Sequence, residues 1–150
     1  MPEITLEAIE ARHNEVTALI AKYKAEAPRA LNIGAIAIEL AAGEHYAGAV
    51  LNADGTVKHH LVLLADKPDD TLSWEEAKAW AASVDGSLPD RQEAALIYAN
   101  CKPHVDARWH WTSEAYGASF AWSCYVSTGF QFYSFVSSAG AARAVRRLKP

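Results

Sequence analysis

Cys101 and His104 are the first residues in this chain whose types and spacing could do chemistry. An imidazole three residues from a thiol can activate it as a nucleophile. The pair falls at the end of a helix-like segment, and no third group that would orient the imidazole stands out. His45, His59 and His60 raise the question of a metal, but neighbouring residues of a strand point to opposite faces, and zinc needs three or four convergent ligands. Asp66, Asp69, Asp70 and Glu75 offer oxygens to a hard cation, yet their spacing matches no calcium loop and reads as a solvated acidic turn. Arg143, Arg146 and Arg147 can pair with those acids, hold an anionic ligand or lie on a solvated face; alternation divides them between the two sides of a strand. The chain has no phosphate loop, no dinucleotide fingerprint, no H-E-x-x-H, no G-x-S-x-G and no C-x-x-C pair. The expectation is a protein without catalysis, cofactor or metal.

Composition sets wider bounds. At 150 residues, with 51% hydrophobic and 21% charged, the chain describes one ordinary soluble globular domain with a short appendage. A formal charge of -4 argues against a general nucleic-acid binder, although "ARAVRRLKP" supplies a local basic patch. No apolar run approaches membrane-spanning length, so no membrane insertion is expected. "MPEITLEAIEARHNE" lacks an apolar signal segment, which argues against Sec export. Two cysteines, Cys101 and Cys124, are too few for a disulfide framework and read as reduced thiols, with one isolated bridge as the alternative.

The elements that must position these residues follow from periodicity. A helix is predicted over Leu6–Glu26, with Leu6, Ile9, His13, Val16, Ile20, Tyr23 and Ala27 in heptad spacing and Leu19 widening the stripe. That seam either joins copies of the chain as dimers or trimers, or packs on the domain's own sheet. Pro28 ends the helix. "IGAIAIEL" reads as a short apolar strand, and "EHYAGAVLNADGTVKHHLVLLA" as a hairpin turning at Asp54-Gly55. The small residues Ala47, Gly48 and Ala49 suggest close packing near the strand before them. Two helices follow, one with Ser73 as cap, Glu76 as its capping-box partner and Leu72 as staple, the other with Asp90 and Glu93 in the same roles.

Beyond Pro103 the period becomes two. Trp109 and Trp111 share a strand face; Phe120, Trp122, Cys124 and Val126 share another; Phe130, Phe132, Ser134 and Val136 lie opposite Gln131, Tyr133 and Phe135. A last strand is predicted in "ARAVRRL". The stretch from Ala115 to Ala142 carries eight aromatic residues and no Lys, Arg, Asp or Glu. Trp122 and one Phe-rich face can fill a core, but both faces of the last hairpin carry rings. Either the sheet is covered on both sides, or Tyr125, Tyr133 and Phe135 are exposed as a contact patch.

The order of "HHLVLL", "SWEEAKAWA", "GSLPDRQEAALIYAN", "WHWTSE", "FAWSCYVSTGFQ" and "ARAVRRL" resembles the DUF1566 family, related to the C-terminal domain of bacterial Lcl-type collagen-like adhesins and common in phages and prophages. The resemblance spans roughly Ile36 to Leu148. Leu88, Pro89 and Arg91 match the family's "LPTR" helix entry, with Asp90 in place of Thr; Trp111 to Glu114 match its "WTSTE/WSSE" element, Trp122 an aromatic that follows it, and Arg143, Val145 and Arg146 its "RAVR". It implies an α+β, C-type-lectin-like (formylglycine-generating-enzyme-like) domain over 29–150: a small twisted antiparallel sheet with two helices, preceded by an N-terminal helix over 1–28. Neither the cysteines of the sulfatase-modifying relatives nor the lectin calcium signatures are reproduced. The uncharged stretch Ala115–Ala142 also looks like the variable region that diversity-generating retroelements write into C-type-lectin-fold binders.

The resulting expectation is non-enzymatic recognition by a phage or prophage protein, located in the virion or the bacterial cytoplasm. Its target is a host-surface protein or glycan. Tyr116, Phe120, Tyr125, Phe130, Tyr133 and Phe135 are the candidate ligand-facing aromatics, alternation favouring Tyr125, Tyr133 and Phe135. Gln131 joins Tyr116, Tyr125, Tyr133 and Phe135 in the candidate ligand-binding set, and Ser123, Ser127 and Ser134 add hydrogen-bonding groups. The alternatives are a virion assembly component, or a small intracellular accessory or inhibitor protein acting on a host protein.

Overall fold

The 21 residues of α1 (Leu6–Glu26) wind as their composition dictates. Thr5 caps the first turn by accepting from the Ala8 N–H, and Ala27, before Pro28, leaves the helix with an extended backbone. None of the helix's residues is buried. A computed structural model describes residues 3–31 and 33–150; Met1, Pro2 and Asn32 lie outside the described residues. The chain divides into two compact units, residues 1–32 and 33–150. Among the described residues the fold is mixed α+β, with this N-terminal helix, two further helices and two small antiparallel sheets.

The first sheet has the order β1-β2-β6, from β1 (His45–Leu51), β2 (Val57–Leu63) and β6 (Val145–Leu148). Its hairpin turns where expected, with Gly55 at φ +86 and Asp54 Oδ1 accepting from both the N–H and the hydroxyl of Thr56. "IGAIAIEL" forms no strand: residues 33–40 have no regular structure, and Ile33, Ile36 and Leu40 are exposed. Its three isoleucines favour an extended backbone, but propensity supplies no ladder where no strand among the described residues pairs with the segment. The final strand is likewise shorter than "ARAVRRL" suggests. Residues 140–141 make single bridges to Leu72 and His110, and regular pairing with β2 begins at Val145. Ala142, Arg143, Ala144 and Val145 are all buried, so only the end of this segment, from Arg146 on, reaches solvent.

The small residues of β1 admit a helix rather than a strand. Gly48 sits at φ +127 in a bulge, and a Cβ there would lie 3.2 Å from Asn100 Nδ2 and 3.5 Å from Leu96 on α3 (Arg91–Cys101). Asn100 donates to the Ala47 carbonyl at 2.6 Å from the same approach. Both expected capping boxes form, Ser73 with Glu76 at the start of α2 (Trp74–Ser83) and Asp90 with Glu93 at the start of α3.

Glu93 does more than cap. Fully buried, its carboxylate accepts from Arg147 Nε and Nη2 on β6 at 2.7 Å each, and from the Asp90 N–H at 2.9 Å. It also meets His59 Nε2 of β2 at 3.0 Å. One carboxylate therefore ties α3 to the edge and centre of the first sheet. Burial by itself would raise its pKa; the Arg147, Asp90 and His59 hydrogen bonds and the Arg147 charge outweigh that and hold it below the usual carboxylate value.

The second sheet has the order β3-β4-β5, from β3 (Trp109–Tyr116), β4 (Phe120–Tyr125) and β5 (Phe130–Phe135). Two apolar clusters anchor the unit. Leu61, Leu63, Ile97, Cys101, Val126 and Val145 fill one. Trp111, Ala121, Ala77, Ala81, Leu88 and Ala144 fill the other, with Trp109 and Val136 packed beside it. Trp111 is wholly buried and donates its indole N–H to the Leu72 carbonyl at 2.8 Å. Gly140 lies directly against the Trp109 ring, and a Cβ at that position would penetrate it. Gly140→Ala is expected to destabilise the chain by about 1–3 kcal/mol through overpacking, read by urea unfolding with a change in tryptophan emission as Trp109 shifts.

Candidate functional site

The register of the second sheet assigns each ring to a face. Tyr116 pairs with Phe120, Phe120 with Phe135, Trp122 with Tyr133, and Cys124 with Gln131, so these residues share one face. Trp109 and Tyr125, Tyr125 and Phe130, and Ser123 and Phe132 pair on the other. Of the expected ligand-binding residues, Tyr116, Gln131, Tyr133 and Phe135 are brought together, and Tyr125 is placed across the sheet from them.

The first face is a platform of touching rings. Tyr116 stacks on Tyr133 with centroids 4.3 Å apart, Phe120 meets Phe135 at 4.5 Å, and Trp122 meets Tyr133 edge-on at 5.7 Å. Arg91, the first residue of α3, lays its guanidinium 3.6 Å over the Trp122 ring. Arg91 Nε donates to Gln131 Oε1 at 2.8 Å, Gln131 Nε2 returns a bond to the Arg91 carbonyl at 2.6 Å, and the Arg91 N–H donates to Glu114 Oε1 at 3.0 Å. Residues 88–91 and 111–114 thus meet beside the platform, where the Ser113 N–H also donates to the Pro89 carbonyl. Gln131 is held by these bonds at the platform's inner margin.

The second face leaves a groove of about 430 Å³ lined by Trp109, Ser123, Tyr125, Phe130, Phe132 and Ser134. Phe130, a candidate ligand-facing ring, is 65% exposed; Phe132, outside that candidate set, is 54% exposed, and Trp122, expected in the core, is only half-buried on the platform. The reason is topological. β5 is an edge strand, and among the described residues no further strand pairs with its outer flank. Phe132 also lies 5.1 Å from Tyr133, ring parallel to ring, so aromatic surface continues around the strand edge from one face to the other. Ser123 is not available as a ligand group, because it is buried and donates to the Phe132 carbonyl. Phe132, Trp109, Trp122 and Arg91 were absent from the expected ligand-facing set, and period-two spacing contains no signal that β5 is an edge.

The candidates for chemistry are taken up elsewhere. Cys101 is fully buried with its thiol pushed up by burial, and points at the Tyr46 carbonyl; His104 instead stacks on His45 at 3.5 Å. His60 bonds the Tyr46 hydroxyl at 2.8 Å, while His59 faces Glu93. The arginines of the last strand find partners outside the 66–75 acids. Arg146 pairs with Glu44 at 2.7 Å, Arg147 with Glu93, and buried Arg143 donates to the His104 and Leu64 carbonyls. A polar cleft of about 300 Å³ is lined by Lys67, Asp69, Asp70, Asp106, Arg108 and Arg143, but Lys67 and Asp106 in it neutralise each other at 3.3 Å. Among the described residues, no group of three or more His, Cys, Asp or Glu side chains converges to hold a metal, and no helix is long and apolar enough to cross a membrane. Comparison of the chain with known family models gives no match, and comparison with curated proteins gives none.

Proposed function

We propose that residues 33–150 are a C-type-lectin-like recognition module of the DUF1566 type, of phage or prophage origin, whose β3-β4-β5 sheet binds a protein on the surface of a host bacterium without catalysing a reaction. The observation that carries this reading is the band of stacked rings Tyr116–Tyr133–Phe132–Phe130 that wraps the edge strand, with Tyr116, Phe132 and Phe130 exposed and Tyr133 half-buried between them. A contiguous exposed aromatic patch marks an interaction surface, and rigid rings supply contact area at low entropy cost. Small antiparallel sheets, two helices and long connections between them favour the lectin-like reading of the fold. The uncharged stretch that carries the rings also favours its diversification by a retroelement. A DNA repeat near the gene, with adenines at the varied positions, is the corresponding expectation, and a locus without one removes it.

Fluorescently labelled full chain is expected to bind intact host bacteria saturably, and to lose binding when the cells are shaved with protease. The platform variant Tyr116→Ala/Tyr133→Ala/Phe135→Ala and the groove variant Tyr125→Ala/Phe130→Ala/Phe132→Ala separate the two faces. Loss of about 100-fold in affinity is expected from whichever triple removes the anchoring rings, with circular dichroism unchanged. Binding that survives protease but not periodate reassigns the target to a glycan. Absence of binding by the unaltered chain overturns receptor recognition and favours a virion or host-protein partner.

A further inference from the structure

Within the unit of residues 1–32, no described element covers the seam of α1. Leu6, Ile9, Val16, Leu19, Ile20 and Tyr23 are between 50% and 75% exposed, and His13 is exposed among them. A helix of 21 residues, about 30 Å long, draws most of its stability in a protein from packing an apolar face. Leu6, Ile9, His13, Val16, Ile20 and Tyr23 keep the 3, 4, 3, 4, 3 spacing that holds one narrow line toward a partner helix, with His13 its one polar position.

We infer that α1 is an oligomerisation segment that joins three or four copies of this chain in a parallel, in-register coiled coil. Counting Leu6 as position a places Leu6, His13 and Ile20 at a, and Ile9, Val16 and Tyr23 at d. β-Branched Ile9 and Val16 at d, where a two-stranded coil prefers leucine, disfavour the two-stranded form and favour higher orders. Leu19, at g, broadens the apolar stripe in the way that more than two neighbours need. His13 sets direction and register. In an antiparallel pair its ring would face Val16 of the neighbour, whereas in a parallel, in-register bundle the His13 rings form one polar layer and satisfy one another. The outward positions 11, 18 and 25 are all alanine, and charges at Glu7, Glu15 and Lys22 keep the outside wet.

Sedimentation equilibrium of the full chain at about 100 µM is expected to give three to four times the 16.3 kDa of one copy. Ile9→Glu/Val16→Glu/Ile20→Glu is expected to reduce the mass to a single copy, whereas Ala11→Glu/Ala18→Glu on the outward face leaves it unchanged. His13→Ile is expected to act in the opposite sense, tightening association by about tenfold or more. Glu3→Cys is expected to form disulfide-linked pairs on mild oxidation, because a parallel bundle gathers all N-terminal ends. A monomeric unaltered chain overturns the inference, and so does a seam variant that keeps the full mass. A stable dimer overturns the copy number, and failure of Glu3→Cys to cross-link overturns the parallel arrangement.

Discussion

Arg147→Met is expected to destabilise the folded chain by about 3–5 kcal/mol, more than removal of its partner by Glu93→Gln. The asymmetry follows from burial. Glu93 is fully enclosed, whereas the Arg147 side chain is 36% exposed. Deleting the arginine strands a carboxylate where water cannot reach it; deleting the carboxylate leaves a guanidinium that can turn toward solvent. Gln at 93 also retains a carbonyl oxygen to accept from the Asp90 N–H that completes the capping box. Urea unfolding of both variants at neutral pH checks the order, and a Glu93→Gln that costs more than Arg147→Met contradicts it. The double variant Glu93→Leu/Arg147→Met is expected to recover part of the loss, since it leaves neither charge unpaired.

Acid is expected to weaken the fold well before the carboxylates titrate. Burial is the main cause that pushes His110 from its ordinary value near 6.5 down to about 4. The neighbouring charges of Arg143 and Arg108 act in the same direction, opposed by the bond to the Arg108 carbonyl and the charge of Asp106. His110 Nδ1 lies 2.8 Å from that carbonyl and donates to it, so the neutral ring already has its partner. The unfolded chain takes up a proton at this histidine as pH falls through about 6.5, while the folded chain does so only near 4. Stability from this group is therefore complete above 6.5 and is lost progressively toward 4, by about 3 kcal/mol in all. Glu93, held below the usual carboxylate value, loses its own contribution at lower pH, so from 6.5 to 5 its loss is small beside that of His110. Urea midpoints across that interval should fall steeply for the unaltered chain and more gently for His110→Gln, which keeps a donor without titrating. Parallel slopes for the two proteins would remove His110 from the account.

The elements whose signals are local were legible in the sequence. The 74–83 and 91–101 helices begin at the Ser73/Glu76 and Asp90/Glu93 boxes, and the 45–63 hairpin turns at Asp54-Gly55, because caps and turns are satisfied within a few residues. Period-two spacing also grouped the residues of β4 and β5 on their sides correctly, with Tyr133 and Phe135 opposite Phe130 and Phe132. What spacing cannot carry is which side is covered. That Phe130 and Phe132 face solvent, that Trp122 lies under Arg91 and that residues 33–40 pair with nothing regular depend on which strand ends at an edge and which helix arrives over it. The sequence by itself determined the helix starts, the turns, the heptad seam of α1 and an uncharged stretch rich in rings. Only the tertiary structure decided that Tyr125 stands on one face while Tyr116, Gln131, Tyr133 and Phe135 stand on the other, and that Arg147 rather than a nearer base neutralises Glu93. Burial is a property of contacts between residues tens of positions apart, and those contacts are settled by the packing of whole elements rather than by the local periodicity of any one of them.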